Sequence, residues 1–182
     1  TFTSDPSELT PDAAITLRYP LSKTNAAGVS HILEPVMQLS WVGGSRLDIP
    51  NEESTLVEFD QGNLLSMSRF PRADRRERGA IAAIGLGWSR FNPQGWDAQL
   101  SVGQVFRRDD DSDFSTTSGL NGLSSDFLLA GQISSGAGVI LTGRSLFEDD
   151  FTLSKAELRG DYAFKRGRIG GSYVWLEEDA FE

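Results

Sequence analysis

Apolar and polar residues alternate strictly in segments of about ten residues, the length of a strand that crosses a bilayer. The clearest segments flank the predicted turn at residues 92–95. Their apolar series is Ala82, Ile84, Leu86 and Trp88 before the turn, and Trp96, Ala98, Leu100 and Val102 after it. A period of two predicts β-strands, because successive side chains leave opposite faces of the pleat. One apolar face and one polar face suit a strand between lipid and water.

The same alternation predicts eight strands along the chain. They lie near residues 12–20, 30–42, 79–91, 96–107, 126–134, 139–147, 154–164 and 169–177. Short connections near 21–30, 92–95, 135–138 and 165–168 alternate with mostly longer ones at 43–78, 107–125 and 148–153. Short turns at one end and long loops at the other are typical of outer-membrane barrels. We therefore expect an all-β, antiparallel, up-and-down transmembrane β-barrel segment, with 43–78 and 107–125 as extracellular loops.

Composition narrows the class of protein further. The 182 residues carry 26 acidic and 17 basic side chains, a formal charge of −9 that argues against a nucleic-acid partner. No cysteine is present, which rules out disulfides and thiolate metal sites in this span. No apolar run is long enough to predict a transmembrane helix. Residues 1–6 show no signal-peptide pattern, so we expect a piece of a longer chain, a partial arc of a larger barrel.

Charged and polar side chains occupy the second face of the predicted strands. The set is Arg18, Glu34, Gln38, Asp97, Gln99, Thr142, Arg144, Lys155, Glu157, Arg159 and Asp161. Unpaired charges in a dry core would each cost several kcal/mol, so the pattern favours a water-filled lumen.

Six aromatic residues fall near predicted strand ends on the apolar face. They are Trp88, Trp96, Tyr162, Phe164, Tyr173 and Trp175. Amphipathic rings at these positions predict the aromatic girdle of a membrane interface. Ordinary packing aromatics are the alternative.

Three segments together resemble a known family. They are His-Ile-Leu-Glu-Pro at 31–35, Ser-Arg-Phe-Pro-Arg-Ala-Asp-Arg at 68–75, and the following strands through Gln-Val-Phe-Arg at 104–107. This stretch resembles the barrel domain of the LPS-assembly family LptD, also called organic solvent tolerance protein. After residue 107 only the strand rhythm carries over.

The resemblance implies a Gram-negative outer-membrane location and a lateral-opening barrel that places lipopolysaccharide in the outer leaflet. It also implies contact with outer-membrane lipids, an LptE-like plug lipoprotein inside the barrel and an LptA-like periplasmic bridge at an N-terminal β-jellyroll. We expect this chain to hold neither the jellyroll nor the full strand set.

Five arginines crowd the end of the first long loop, with Asp74 and Glu77 among them. They are Arg69, Arg72, Arg75, Arg76 and Arg78. Guanidinium groups pair bidentately with phosphates and carboxylates, so one hypothesis is a site for lipopolysaccharide phosphates and another is a clamp that folds the loop into the lumen. A solvated loop with weak ion pairs is the third.

Other chemistry finds little support in the sequence. Asp109, Asp111 and Asp113 have the spacing of a calcium loop, but the EF-hand glycine and glutamate are missing. Two interpretations of these aspartates stay open: loose binding of a divalent cation, and an acidic loop that binds none.

A catalytic site also has little support. His31 and Glu34 should leave opposite faces of one strand, and no serine lies in a G-x-S-x-G context. We predict no catalytic, cofactor or metal site.

Three functions are therefore weighed. The leading one is part of the lipopolysaccharide translocon. The second is a self-contained eight-stranded barrel with a structural or adhesion role, since eight strands suffice to close a barrel. The third, an outer-membrane hydrolase, has the weakest support.

Overall fold

A computed structural model describes residues 9–45, 57–72 and 75–177 as one antiparallel sheet. Its strands are β1 (Asp12–Arg18), β2 (Leu21–Thr24), β3 (Ser30–Val42), β4 (Gly79–Phe91), β5 (Trp96–Arg107), β6 (Phe127–Ser135), β7 (Val139–Phe147), β8 (Leu153–Phe164) and β9 (Gly167–Leu176). A single 3₁₀ turn, Thr116–Ser118, interrupts the described part of the second long loop. Among these residues, no helix has the length and apolar character needed to cross a bilayer.

The strands follow one another through the sheet in chain order. The order is β1-β3-β4-β5-β6-β7-β8-β9, with β2 also paired to β3. Every pairing is antiparallel. The predicted all-β, up-and-down fold is therefore confirmed, whereas the described sheet is open, with β1 and β9 at its edges.

The first predicted strand ended too early. We expected residues 12–20 as a strand and 21–30 as a connection, but Leu21–Thr24 forms β2. It continues the register of β1 along β3, since Arg18 pairs with Val36 and Leu21 with Leu33. Pro20 has no N–H to give to the ladder, which explains the interruption between the two halves.

The other predicted strands agree closely with the structure. β3, β4, β5 and β7 have the expected bounds, and the ends of β6, β8 and β9 move by one or two residues. The alternation of connections is also confirmed: tight turns join β2–β3, β4–β5, β6–β7 and β8–β9. The intervening connections include the two long ones.

One face of the sheet is apolar and exposed. We call it the exposed apolar face, and the pairing register places it on the odd residues of β1, β2, β3, β6, β7 and β9 and the even residues of β4, β5 and β8. Ile15 is 78% exposed, Leu39 51%, Leu141 44% and Tyr173 63%. Most of the exposed large hydrophobic side chains lie here, so hydrophobic surface is continuous across the sheet.

The long loops pack against the opposite face, which we call the loop-covered face. One buried cluster joins Val57, Phe59, Leu64, Phe70, Phe114 and Leu120 of the loops to Ile81, Ala83, Val105, Leu128, Ala130 and Leu146 of the strands. The part of this face beside the long loops is therefore a dry, packed core. Near the long loops, apolar residues occupy the strand positions that carry polar residues elsewhere on this face. The loops cover these apolar residues and exclude water from them.

Two glycines create the room that the first long loop needs. Gly85 and Gly103 pair across β4 and β5. A methyl carbon on Gly103 would lie 2.5 Å from Leu64 Cδ2 and 3.0 Å from the Ile84 carbonyl oxygen. On Gly85 it would lie 2.9 Å from the same Leu64 carbon. Glycine therefore marks a close approach of the loop to the sheet, as expected for strand glycines.

The substitution Gly103→Ala should destabilise the protein by about 1–3 kcal/mol, because the added carbon overpacks the contact with Leu64. Gly171→Ala is the matched control, since a carbon there would meet nothing within 4 Å. Urea unfolding of the two variants in detergent, followed by tryptophan fluorescence, measures the difference. Equal midpoints would contradict the packing interpretation.

Candidate functional site

All eleven polar residues predicted to face a lumen lie on the loop-covered face, according to the strand register. Near the β1 edge, Arg18 donates to Glu34 at 2.6 Å, and both side chains are partly exposed. The Gln38 amide donates to the hydroxyl of Thr16 at 2.9 Å. The polar side chains near the β1 edge therefore form hydrogen bonds with side chains of the neighbouring strand.

The central members are more open. The Asp97 carboxylate accepts a hydrogen bond from the Asn92 backbone N–H at 2.7 Å, which ties β5 to its turn. Gln99 is exposed, and Thr142 donates to Gln132 at 3.4 Å. This part of the face presents hydrogen-bonding groups to solvent.

A charge network fastens the first long loop to β7 and β8. Arg144 Nη2 lies 2.8 Å from Glu58 and 2.7 Å from Glu157. Lys155 Nζ lies 2.8 Å from Glu58 and 3.1 Å from Glu157. The hydrogen bond from Lys155, together with Arg144, lowers the pKa of the Glu58 carboxyl below its ordinary value. Glu58 therefore stays ionised and holds both strands.

A second network lies towards the short turns. Asp161 accepts from Arg159 Nε at 2.8 Å and lies 3.2 Å from Arg168 of β9. An open groove of about 420 Å³ runs between the first long loop and β7–β9, with Asp60, Thr142, Arg144, Glu157 and Arg159 among its lining residues. We call it the polar groove. Its lining combines cations, carboxylates and a hydroxyl with the apolar side chains of Leu158 and Val174 and the ring of Tyr173.

The five loop arginines do not converge on one site. Arg69 is buried, and its Nη1 donates to Glu77 at 2.8 Å. Arg75 pairs with Asp113 of the second long loop at 2.8 Å, and Arg76 lies 3.7 Å from Asp12. Arg78 donates to the Gly43 carbonyl, while Arg72 is exposed. Asp74 lies outside the described residues. The geometry favours the clamp hypothesis over a single phosphate site.

Glu77 is the centre of that clamp. Its carboxylate is 1% exposed and receives Arg69 Nη1 through Oε1 and Arg107 Nε, at 2.7 Å, through Oε2. Arg69 also donates to the Leu64 carbonyl, and Arg107 to the Leu120 carbonyl. The Glu77 carboxylate therefore ties the first long loop to Arg107 of β5, and Arg107 in turn holds the second long loop. Burial lowers the pKa of the Arg69 guanidinium, and the charge of Glu77 opposes that change.

Sequence reasoning missed Arg107 and Glu58 as members of these networks. Arg107 is the last residue of β5, and the alternation places it on the loop-covered face. The alternation could not identify its partner, Glu77, which lies 30 residues earlier in the chain. Glu58 carried no signal, because its partners lie 86 and 97 residues along the chain.

The predicted aromatic girdle falls into two groups on the exposed apolar face. Trp88, Trp96, Tyr162 and Phe164 lie near strand ends beside the short turns. Tyr173 and Trp175 lie towards the other end of β9. The six residues therefore mark both ends of the strands, and do not form one belt.

The remaining candidates are His31, with Glu34, and the aspartates of the second long loop. His31 and Glu34 are on opposite faces of β3, as expected, and the His31 ring contacts Trp88 with centroids 5.8 Å apart. Asp113 is committed to Arg75, and Asp110 accepts from the Gly122 N–H. Within the described ranges, no group of three or more histidine or carboxylate residues could hold a metal ion.

The substitution Glu77→Gln should destabilise the protein by about 3–5 kcal/mol, because it leaves two buried guanidinium groups without a counter-charge. The matched control Glu34→Gln removes a partly exposed ion pair and should cost less than about 1 kcal/mol. Urea midpoints in detergent measure both. Similar losses in the two variants would show that Glu77 is not the clamp.

Comparison with known proteins identifies the family. No curated protein matches the sequence. The family model for LptD, described as LPS transport system D, matches residues 1–181. That match covers essentially the whole chain, including the segments that form the clamp and the polar groove. The chain therefore belongs to the LptD family, whose role is the transport and assembly of lipopolysaccharide.

Proposed function

We propose that this chain is an arc of the outer-membrane barrel of an LptD protein, and that the barrel opens laterally to place lipopolysaccharide in the outer leaflet. The exposed apolar face is the observation that supports it. Water-soluble proteins rarely expose apolar patches larger than a few hundred Å². Burying one such side chain is worth about 1.5–3 kcal/mol, so a face covered with them favours lipid as its surroundings.

The open edges support an arc of a larger barrel. Among the described strands, β1 pairs only with β3 and β9 only with β8. Unpaired edge groups cannot be left in hydrocarbon, since each costs several kcal/mol, so further strands would have to complete the barrel. A self-contained eight-stranded barrel would need β1 and β9 to meet, and that alternative has less support.

The polar groove supports passage of the saccharide part of the lipid. Arg144 and Arg159 offer cations for phosphate groups, and Thr142 with the carboxylates offers hydrogen bonds for sugars. In this proposal the saccharide follows the loop-covered face, while the acyl chains leave through the wall. The clamp at Glu77 keeps the long loops folded over this path.

The partners implied by the family belong to the proposal as well. An LptE-like plug lipoprotein would meet the part of the loop-covered face that stays open, around Gln99 and Arg159. An LptA-like periplasmic bridge would join elsewhere in the parent protein. The family consists of transport and assembly proteins. His31 and Glu34 lie on opposite faces of β3, so this pair does not support a catalytic function.

Spin labels should report lipid on the exposed apolar face. Labels at Leu86 and Leu100 in the reconstituted parent protein should show higher oxygen accessibility than a label at the neighbouring Gln99, because oxygen partitions into hydrocarbon. Electron paramagnetic resonance measures this directly. Equal oxygen accessibility at the three positions would overturn the membrane orientation.

Depletion of the parent protein should reduce surface lipopolysaccharide and sensitise cells to detergents. A Val102→Arg variant should restore function poorly, since a cation near the middle of the lipid face costs about 2–4 kcal/mol. Ser101→Arg, one residue away on the other face, is the control and should complement. Surface lipopolysaccharide that stays unchanged on depletion would refute the transport assignment.

A further inference from the structure

Only three residues with basic side chains lie on the exposed apolar face of the described strands, and they are neighbours. Lys23 of β2 pairs with His31 of β3, and His31 pairs with Arg90 of β4. By the strand register, every aspartate and glutamate of the described strands faces the other way. These three residues are therefore the only Lys, Arg, His, Asp or Glu side chains on this face of the described strands, and we call them the basic row.

The basic row differs from the other bases in how it is partnered. On the loop-covered face, each basic residue of the described strands contacts a carboxylate: Arg18, Arg107, Arg144, Lys155, Arg159 and Arg168. No carboxylate of the described residues pairs with Lys23, His31 or Arg90. Their counter-charge must therefore come from outside this part of the chain.

Two tryptophans contact two members of the basic row, Arg90 and His31. The Arg90 guanidinium lies 3.7 Å from the centre of the Trp96 ring and donates to the Trp96 carbonyl. One of its five N–H donors is used there, which leaves others for an anion. His31 contacts the Trp88 ring. An imidazole always carries at least one N–H, so it donates whether or not it is protonated. Tryptophan beside cations is typical of the headgroup region.

The position of the row indicates which leaflet it meets. Lys23, His31 and Arg90 lie beside the short turns at residues 25–28 and 92–95. In outer-membrane barrels the short turns are periplasmic. Lipopolysaccharide is delivered to the opposite leaflet in the function proposed above. The anion available at this height is thus the phosphate of a glycerophospholipid.

We propose that Lys23, His31 and Arg90 form a binding site for the phosphate of an anionic glycerophospholipid in the periplasmic leaflet. The inference rests on the proposed membrane orientation and extends it. The bound headgroup supplies the missing counter-charge, while the acyl chains lie along the apolar residues of β3 and β4. Such a site fixes the height of these strands in the bilayer.

The test compares lipid binding to the detergent-solubilised parent protein by native mass spectrometry, with phosphatidylglycerol as the probe. The triple variant Lys23→Gln, His31→Gln, Arg90→Gln should bind it about tenfold more weakly, because charge-assisted hydrogen bonds to phosphate are lost. The control Arg18→Gln, Arg108→Gln, Arg168→Gln removes three bases that lie outside the basic row and the polar groove, and it should bind phosphatidylglycerol like the wild type. Diacylglycerol, which lacks phosphate, should bind equally to all three proteins.

Three outcomes would overturn the proposal. One is equal phosphatidylglycerol binding by the two triple variants, and another is a matching loss of diacylglycerol binding. The third is a larger loss for lipid A than for phosphatidylglycerol, which would assign the row to the transported lipid. Spin labels at Leu86 and Leu100 are measured in the same preparations. High oxygen accessibility there with unchanged lipid binding would refute the basic row alone, whereas low accessibility would refute the membrane orientation itself.

Discussion

Each strand must satisfy two surroundings at once, because its side chains alternate between faces while its backbone pairs within the sheet. The exposed apolar face accepts almost no charge, so nearly all ionised side chains of the strands meet on the loop-covered face. There they pair with one another: Arg18 with Glu34, and Arg159 and Arg168 with Asp161. The ion-pair networks are thus a consequence of the segregation of charged side chains to the loop-covered face.

The same segregation explains the long loops. Ile81, Val105 and Leu128 lie on the loop-covered face, where water would otherwise contact them. Phe59 and Leu64 bury them, and Gly85 and Gly103 let Leu64 approach the backbone. The buried guanidinium groups of Arg69 in the loop and Arg107 in β5 need a buried counter-charge, and the Glu77 carboxylate supplies it. Packing and charge pairing therefore depend on each other.

The alternation of apolar and polar residues predicted the features of the fold that depend on local sequence. Strand bounds, the assignment of residues to faces, and the alternation of short and long connections follow from local chemistry. The first strand was predicted to end at Pro20, because the sequence does not distinguish a proline that interrupts a strand from one that ends it. The contacts of Glu77 with Arg107 and of Glu58 with Lys155 could not be read from the pattern, because they join distant segments through side chains of no periodic order. The dry cluster was missed for a related reason: the apolar residues of the loops do not alternate.

Glu58 has a consequence for the order of folding. Its ion pairs reach Arg144 and Lys155, 86 and 97 residues further along the chain. Contacts so distant in sequence carry a large loop-closure entropy and form slowly unless the intervening chain is already ordered. The segment at residues 57–72 can acquire its final position only after β7 and β8 have joined the sheet. Until that moment its phenylalanines remain accessible, and a nascent chain at this stage would be a natural client for chaperones.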